Sequence, residues 1–278
     1  MQVSAPGKLI LTGEYAVLDG APGLVMAINR RARVSLEPSP DTSWHLVSLQ
    51  DQRSTCSFTF DERGLPRWNQ PASKSAFHLV DTMLRAAQEL ALQNLPPFTA
   101  TLDTSEFFDP GAGGQKLGLG SSAALTVALS AALREWANIP ALPRGKQLAM
   151  LLAMHSDFQG GRGSGIDLAA SLCGGVLDYQ RSPGSSEPII EPGRLPAALK
   201  FRAIWTGKQA STSDLLQQLE AASEADPGGW DQVRQILASA ATQSRSAFIS
   251  GQAEELLSSI DTYGKGLRLL QTFSGIPV

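Results

Sequence analysis

The stretch KLGLGSSAALTVALSAALREW, Lys116 to Trp136, constrains the fold of this chain more than any other. Its alanine-rich run is apolar on all sides of a helix rather than along one stripe, and such a helix cannot serve as a surface element. The pattern predicts a buried helix over 122–137. A glycine loop opens it: five of the ten residues from Gly111 to Gly120 are glycine. Glycine reaches positive φ at little cost and lets a backbone approach a ligand closely. Ser121 and Ser122 are natural N-cap residues for the helix. The uncapped N–H groups and the helix dipole then offer an anion site, with hydroxyls available to phosphate or Mg²⁺. No G-x-x-x-x-G-K-[ST] string occurs in the chain. Residue chemistry alone leaves two readings open, a phosphate cradle and a glycine-rich turn before a buried helix.

Around that element the chain divides into a strand-rich part and a helix-rich part. VSAPGKLILTGEYAVL, GLVMAINRRARVSLEP, SWHLVSL, STCSFTF and FTATLDT read as strands broken by Gly, Pro and Asp. A helical stripe runs over 73–94 through Phe77, Leu79, Val80, Met83, Leu84, Ala87 and Leu90. Further helices are expected over 146–158, 213–222, 230–249 and 253–270, with GGVLDYQ and FRAIWTG as later strands. This mixture predicts an α+β protein with two lobes. The proline- and glycine-rich stretch 183–196 places the boundary, giving domains 1–185 and 186–278.

Charge and composition exclude several functions. The formal net charge is −3, so no global field attracts nucleic acid or an anionic membrane, and an anionic ligand needs locally placed cations. Cys56 and Cys173 lack a C-x-x-C spacing and read as thiols in a reducing cytoplasm. His45, His78 and His155 form no H-x-x-x-H pair, which argues against zinc. The N-terminus lacks the apolar core of a signal peptide, and no run is long enough to span a bilayer. A cytoplasmic protein is expected.

Two further constellations carry chemistry. GGRGSGIDLAA packs four glycines into positions 160–165 and then presents Asp167. A lone Asp at a helix start is commonly a cap or first-turn charge. The glycine string would also let a substrate approach Arg162 and Asp167, where an Asp could orient an attacking group, deprotonate it or share in holding Mg²⁺. APGKLILTGEY places Lys8 in a Pro-Gly turn between strand-like pieces, with Glu14 and Tyr15 following Gly13.

Together these stretches resemble the GHMP kinases, the superfamily of galactokinase, homoserine kinase, mevalonate kinase and phosphomevalonate kinase. APGKLILTGEYAVLDG is similar to the first motif of that superfamily and KLGLGSSAALTVAL to its ATP-binding motif. GEYAVL, Lys116 before GLGSS, RGSGIDLAASLCGGVLDY and IWTGKQASTSDLL look like the phosphomevalonate kinase branch. The resemblance implies an N-terminal domain with a left-handed β-α-β unit, like domain 2 of ribosomal protein S5, joined to a ferredoxin-like C-terminal domain. It implies ATP and Mg²⁺ as cofactors. Gly118, Leu119, Gly120, Ser121, Ser122 and Ala123, with Lys116, would wrap the ATP phosphates, and the Ser122 hydroxyl would be the Mg²⁺ ligand. Asp167 matches the catalytic aspartate and Lys8 the lysine that neutralises charge on the transferring group. Tyr15, Ser164, Ser211 and Thr212 are acceptor-binding candidates.

The implied reaction is transfer of the γ-phosphoryl of MgATP to phosphomevalonate, a small-molecule acceptor, by a monomer or homodimer with no nucleic-acid or membrane partner. Two alternatives accompany it: mevalonate kinase or another GHMP kinase acting on an alcohol, and a non-catalytic GHMP-like nucleotide-binding protein. The superfamily's third motif, a KPSGAGGGDCG-like loop, has no counterpart before the chain stops at LLQTFSGIPV. The resemblance therefore implies either an incomplete sequence or a chain with an unfinished second domain and poor activity, and truncation is the favoured expectation, since a ferredoxin-like sheet lacking strands would expose an edge.

Overall fold

A computed structural model describes residues 1–50, 54–69, 75–111, 114–158, 163–183, 185, 187–207 and 212–276, with backbone alone at 75–76, 156–158 and 212–217. The chain is a mixed α+β protein, as expected. Contacts divide it into two compact units, each assembled from separate segments. Residues 8–27, 162–170 and 174–185, all within the expected N-terminal domain 1–185, group with the second unit.

The first unit comprises Met1–Gly7, Ile28–Gly161 and Ser171–Cys173. Strands β1 (Gln2–Thr12) and β2 (Gly23–Pro38) contribute segments to both units. The expected Pro-Gly turn is absent, because β1 runs through Pro6 and Gly7 without a break. In this unit the sheet continues through β3 (Trp44–Ser48), β4 (Ser54–Phe60) and β5 (Pro66–Trp68). Strand β6 (Phe98–Asp103) pairs antiparallel with β2 and parallel with β3. Helix α1 (Ser75–Ala86) lies in the connection back to β6. Its stripe is buried from Phe77 to Leu90 as expected, but the α-helix stops early, with Ala91 at φ +46 between two 3₁₀ turns. The indole N–H of Trp68 donates to Asp81 Oδ1 at 2.7 Å and ties the helix to β5.

Helix α2 (Ser121–Trp136) is the interior helix that its all-round apolar sequence demands. Twelve of its sixteen residues are buried, so it packs on every side rather than along one face. Full burial of leucines such as Leu125, Leu129 and Leu133 contributes about 1.5–3 kcal/mol each before conformational entropy is counted. Helix α3 (Arg144–Phe158) packs on both α1 and α2.

The second unit comprises Lys8–Ala27, Arg162–Ala170 and Gly174–Val278. After α4 (Ile166–Cys173), β7 (Val176–Gln180) runs antiparallel to the Gly23–Met26 part of β2. Strand β8 (Ile189–Gly193) follows on the edge. This strand lies within the proline- and glycine-rich stretch expected as the domain boundary, and an edge strand tolerates Pro192 because one side of its ladder is open.

FRAIWTG, expected as a strand, is irregular over 201–207. No strand among the described residues pairs with it, and Ile204 is 87% exposed. Without a ladder to satisfy its N–H and C=O groups, a β-prone sequence has no reason to stay extended. Helices α5 (Thr212–Ala225), α6 (Pro227–Ser250) and α7 (Ala253–Ser274) complete the unit. Asp226 caps α6 by accepting the Gly229 N–H at 2.9 Å, with Pro227 in the first turn. The core gathers Tyr15, Leu219, Val233, Leu237, Tyr263 and Leu270. Arg245 of α6 donates to the buried carboxylate of Asp178 on β7 at 2.6 Å and to Gln180 at 2.7 Å.

Candidate functional site

Residues 107–109 and 114–117, on either side of the loop's tip, pair through their backbones above a fixed base. Glu106 accepts the Arg31 N–H at 2.8 Å and pairs with the Arg33 guanidinium at 2.5 Å, which together hold its carboxyl below the usual range. Next in the chain, Phe107 is fully buried and its carbonyl accepts the Leu117 N–H at 2.9 Å. Phe108 bridges Lys116 across the hairpin. Strand β1 presses against this base at Gly7. A Cβ there would lie 2.5 Å from the Leu119 carbonyl oxygen and from the Phe107 ring, so only glycine fits.

The loop enters α2 through Gly120 at φ +79, preceded by Gly118 at φ +75. Gly120 itself is the N-cap, and no side chain caps the helix. The expectation that a serine would cap is therefore corrected: Ser121 and Ser122 occupy the first two helical positions. The left-handed conformation that the turn requires favours glycine at the cap and moves the serines one place inward. The first intrahelical bond is Ala124 N–H to the Gly120 carbonyl. The N–H groups of Ser121, Ser122 and Ala123 thus stay at the mouth of the helix, where the dipole is positive.

Lys116, four residues before the Gly120 cap, is half-buried, and desolvation pushes its ammonium below the ordinary lysine value. Lys116, Gly118, Leu119, Gly120, Ser121, Ser122 and Ala123 are thus brought together in the first unit. The sequence reading missed a further member. The Ser122 hydroxyl lies 3.1 Å from Nε2 of His155, a residue of α3 that is 2% exposed. A histidine thirty-three residues away leaves no local sequence signal.

The second unit holds Lys8, Tyr15, Ser164 and Asp167. Lys8 directly follows Gly7 and sits half-buried within β1. Tyr15 is buried in the core of that unit with φ +66, an uncommon value for a bulky residue. Burial, with the Glu14 charge adding, pushes its phenol upward. The hydroxyl of Tyr263 on α7 donates to the Glu14 carbonyl at 2.5 Å and secures this turn.

Asp167 stands in the first turn of α4 behind Gly165, an N-cap at φ +80. Its Oδ1 accepts the Leu168 N–H at 2.9 Å. The carbonyl of Ser164 accepts the Tyr179 hydroxyl at 2.5 Å and Arg181 Nη1 at 3.4 Å, so β7 and the chain beyond it hold the glycine turn that presents Asp167. Neither supporting residue was foreseen, because nothing local marks them. Arg162 and Ser211 lie outside the described residues; Thr212 begins α5, with its backbone alone described.

Cys56 and Cys173 carry thiols, the first buried. Among the described residues no three metal-type side chains gather, and no helix is long and apolar enough to cross a membrane. Mg²⁺ needs few protein ligands, since it keeps waters and phosphate oxygens. A single hydroxyl such as that of Ser122, at a helix mouth that attracts phosphate, fits that requirement.

Residues 80–175 match the family model for the GHMP kinases N terminal domain. The chain is 32% identical to the phosphomevalonate kinase of Streptomyces sp. (strain CL190), an alignment covering 77% of this chain and 64% of that protein. It is 28% identical to the mevalonate kinase of Thermococcus sibiricus, covering 78% of this chain and 60% of that one. The chain thus spans less than two thirds of the length of these relatives. The solved structure of Streptococcus pneumoniae phosphomevalonate kinase in complex with phosphomevalonate and AMPPNP superposes with a TM-score of 0.73 at 20% identity, covering 98% of this chain and 81% of that one. That likeness concerns the fold.

Proposed function

We propose, from the premise that residues 80–175 of this chain belong to the GHMP kinases N terminal domain family, that the protein transfers the γ-phosphoryl of MgATP to phosphomevalonate. The observation that carries the reading is the uncapped mouth of α2, where the amide N–H groups of Ser121, Ser122 and Ala123 have no intrahelical acceptor and no side chain caps them, an arrangement suited to phosphate. The phosphomevalonate kinase among the relatives supports the acceptor.

Phosphoryl transfer demands alignment and charge stabilisation more than covalent chemistry. The loop amides of 118–123 and Lys116 hold the phosphates. Ser122 is assigned to Mg²⁺, which when bound neutralises charge on the β- and γ-oxygens. By their motif positions, Lys8 offsets charge on the transferring group, Asp167 orients the acceptor, and Tyr15, Ser164, Ser211 and Thr212 belong to acceptor binding. A phosphomonoester has a second pKa near ~6 and is largely dianionic at neutral pH, so it needs little help from a base.

A second reading, mevalonate kinase or another GHMP kinase acting on an alcohol, draws on the mevalonate kinases among the relatives. ADP release by the full-length protein with phosphomevalonate, mevalonate, galactose or homoserine supplied separately tests both. Turnover with phosphomevalonate is the expected result. Turnover with mevalonate alone would establish the second reading. ATP binding without turnover on any of them would sink the kinase assignment.

Lys116 adds a pH signature. Its amine is pushed down by burial, so the cation is lost as pH rises through a pKa below the ordinary lysine value. ADP affinity is therefore expected to fall as pH rises through that lowered pKa, with proton uptake on binding near it. Lys116→Met should weaken ADP by about 1.5–3 kcal/mol below that pKa and remove this dependence, as read by calorimetry at several pH values.

A further inference from the structure

The Ser122–His155 contact joins a hydroxyl in the first turn of α2 to a buried imidazole nitrogen. A serine inside a helix commonly donates its proton to the carbonyl four residues back, as Thr126 does here to the Ser122 carbonyl at 2.9 Å. Ser122 stands at the second helical position, so the residue four back is Gly118, in the left-handed loop. No preceding helical turn offers it a carbonyl. The acceptor that the structure places within reach is Nε2 of His155, at 3.1 Å. His155 is 2% exposed, so the contact is made away from solvent. A neutral ring with its proton on Nδ1 presents Nε2 as an acceptor.

We propose that His155 is a positioning residue: it accepts the hydroxyl proton of Ser122 and so leaves the Ser122 oxygen free to offer its lone pairs to a nucleotide-bound Mg²⁺. This inference rests on the kinase reading and on Ser122 as the metal ligand. If Nε2–H donated instead, one lone pair would be consumed and the hydroxyl proton would compete with the cation. A hydroxyl whose proton is held by a base is also a stronger oxygen donor. Outer partners that orient metal ligands act in this way, and losing one typically costs 10–100-fold in metal affinity.

The test is calorimetric titration of ADP into the full chain, once with Mg²⁺ and once in EDTA, the readout being the ratio of the two affinities. The wild type is expected to bind ADP more tightly with Mg²⁺, and Ser122→Ala to lose that gain. His155→Leu should lose roughly 10-fold or more of the gain while keeping its EDTA affinity. His155→Gln, whose amide oxygen can occupy the Nε2 position, should restore it.

A full gain in His155→Leu beside a lost gain in Ser122→Ala would overturn the inference and leave the kinase reading intact. A full gain in Ser122→Ala, or no gain in a wild type that still binds ADP, would remove the metal role and the inference with it. No ADP binding at all would instead defeat the proposed function. Should the Leu variant fail to fold, the unaltered protein still decides. In ¹⁵N-histidine-labelled chain, with signals assigned through His45→Gln and His78→Gln, the proposal requires the Nδ1–H tautomer at His155, and an Nε2–H tautomer overturns it.

Discussion

Asp167→Asn is expected to lower kcat/KM for the acceptor by roughly 10²–10⁴, with the affinity for ATP little changed. Asparagine retains an oxygen for the Leu168 N–H, so the start of α4 and the fold around it survive the substitution. What disappears is a negative charge held in the first helical turn, behind a glycine cap and a turn pinned by Tyr179 and Arg181. With a phosphorylated acceptor the nucleophile is already ionised near neutrality. The defect should then reflect lost orientation and persist as pH is raised. A rate that recovers toward alkaline pH would instead identify proton abstraction as the missing step and point to an alcohol acceptor. Steady-state rates across pH, with ATP binding measured in parallel, separate these outcomes.

Arg245→Met should lower the free energy of unfolding by about 3–5 kcal/mol. Arg245 is the charged partner of Asp178, which is 2% exposed and whose Oδ1 finds no hydrogen-bond partner among the described residues. Removing the guanidinium leaves a buried carboxylate without compensation and frees the Gln180 amide oxygen as well. The pH dependence has a definite sign. Burial, first of all, pushes the Asp178 carboxyl above its ordinary value, and the guanidinium pulls it partly back. In the variant it rises further. A carboxyl whose folded pKa exceeds its unfolded value costs stability once ionised. The loss is therefore full above the raised pKa and shrinks as pH falls through it toward the ordinary carboxylate range. Urea unfolding at neutral and acidic pH measures this; an equal loss at both would refute the electrostatic account.

Much of the architecture was legible along the chain because its signals are local. The all-round apolar run of 122–137 could only be interior, and α2 is buried on every side. GLVMAINRRARVSLEP, STCSFTF and the helical patterns of α6 and α7 declared themselves by period and punctuation. The errors occurred where a local rule met a distant partner. Pro6 and Gly7 suggested a turn, yet β1 continues and the glycine serves a close approach to Leu119. FRAIWTG has strand composition but no neighbouring strand to pair with among the described residues.

The candidate site divides along the same line. By itself the sequence determined the glycine loop, the helix behind it, and the residue types at Lys8, Lys116, Ser122 and Asp167. Short-range sterics and periodicity suffice for those features. Only the tertiary structure decided that Gly120 rather than a serine caps α2, that His155 meets Ser122, and that Tyr179 and Arg181 hold the turn before Asp167. The cap follows from the left-handed backbone at Gly120, while the other two depend on groups far apart in the chain. Such groups become partners only when packing excludes water and each buried polar atom must find its bond inside the protein.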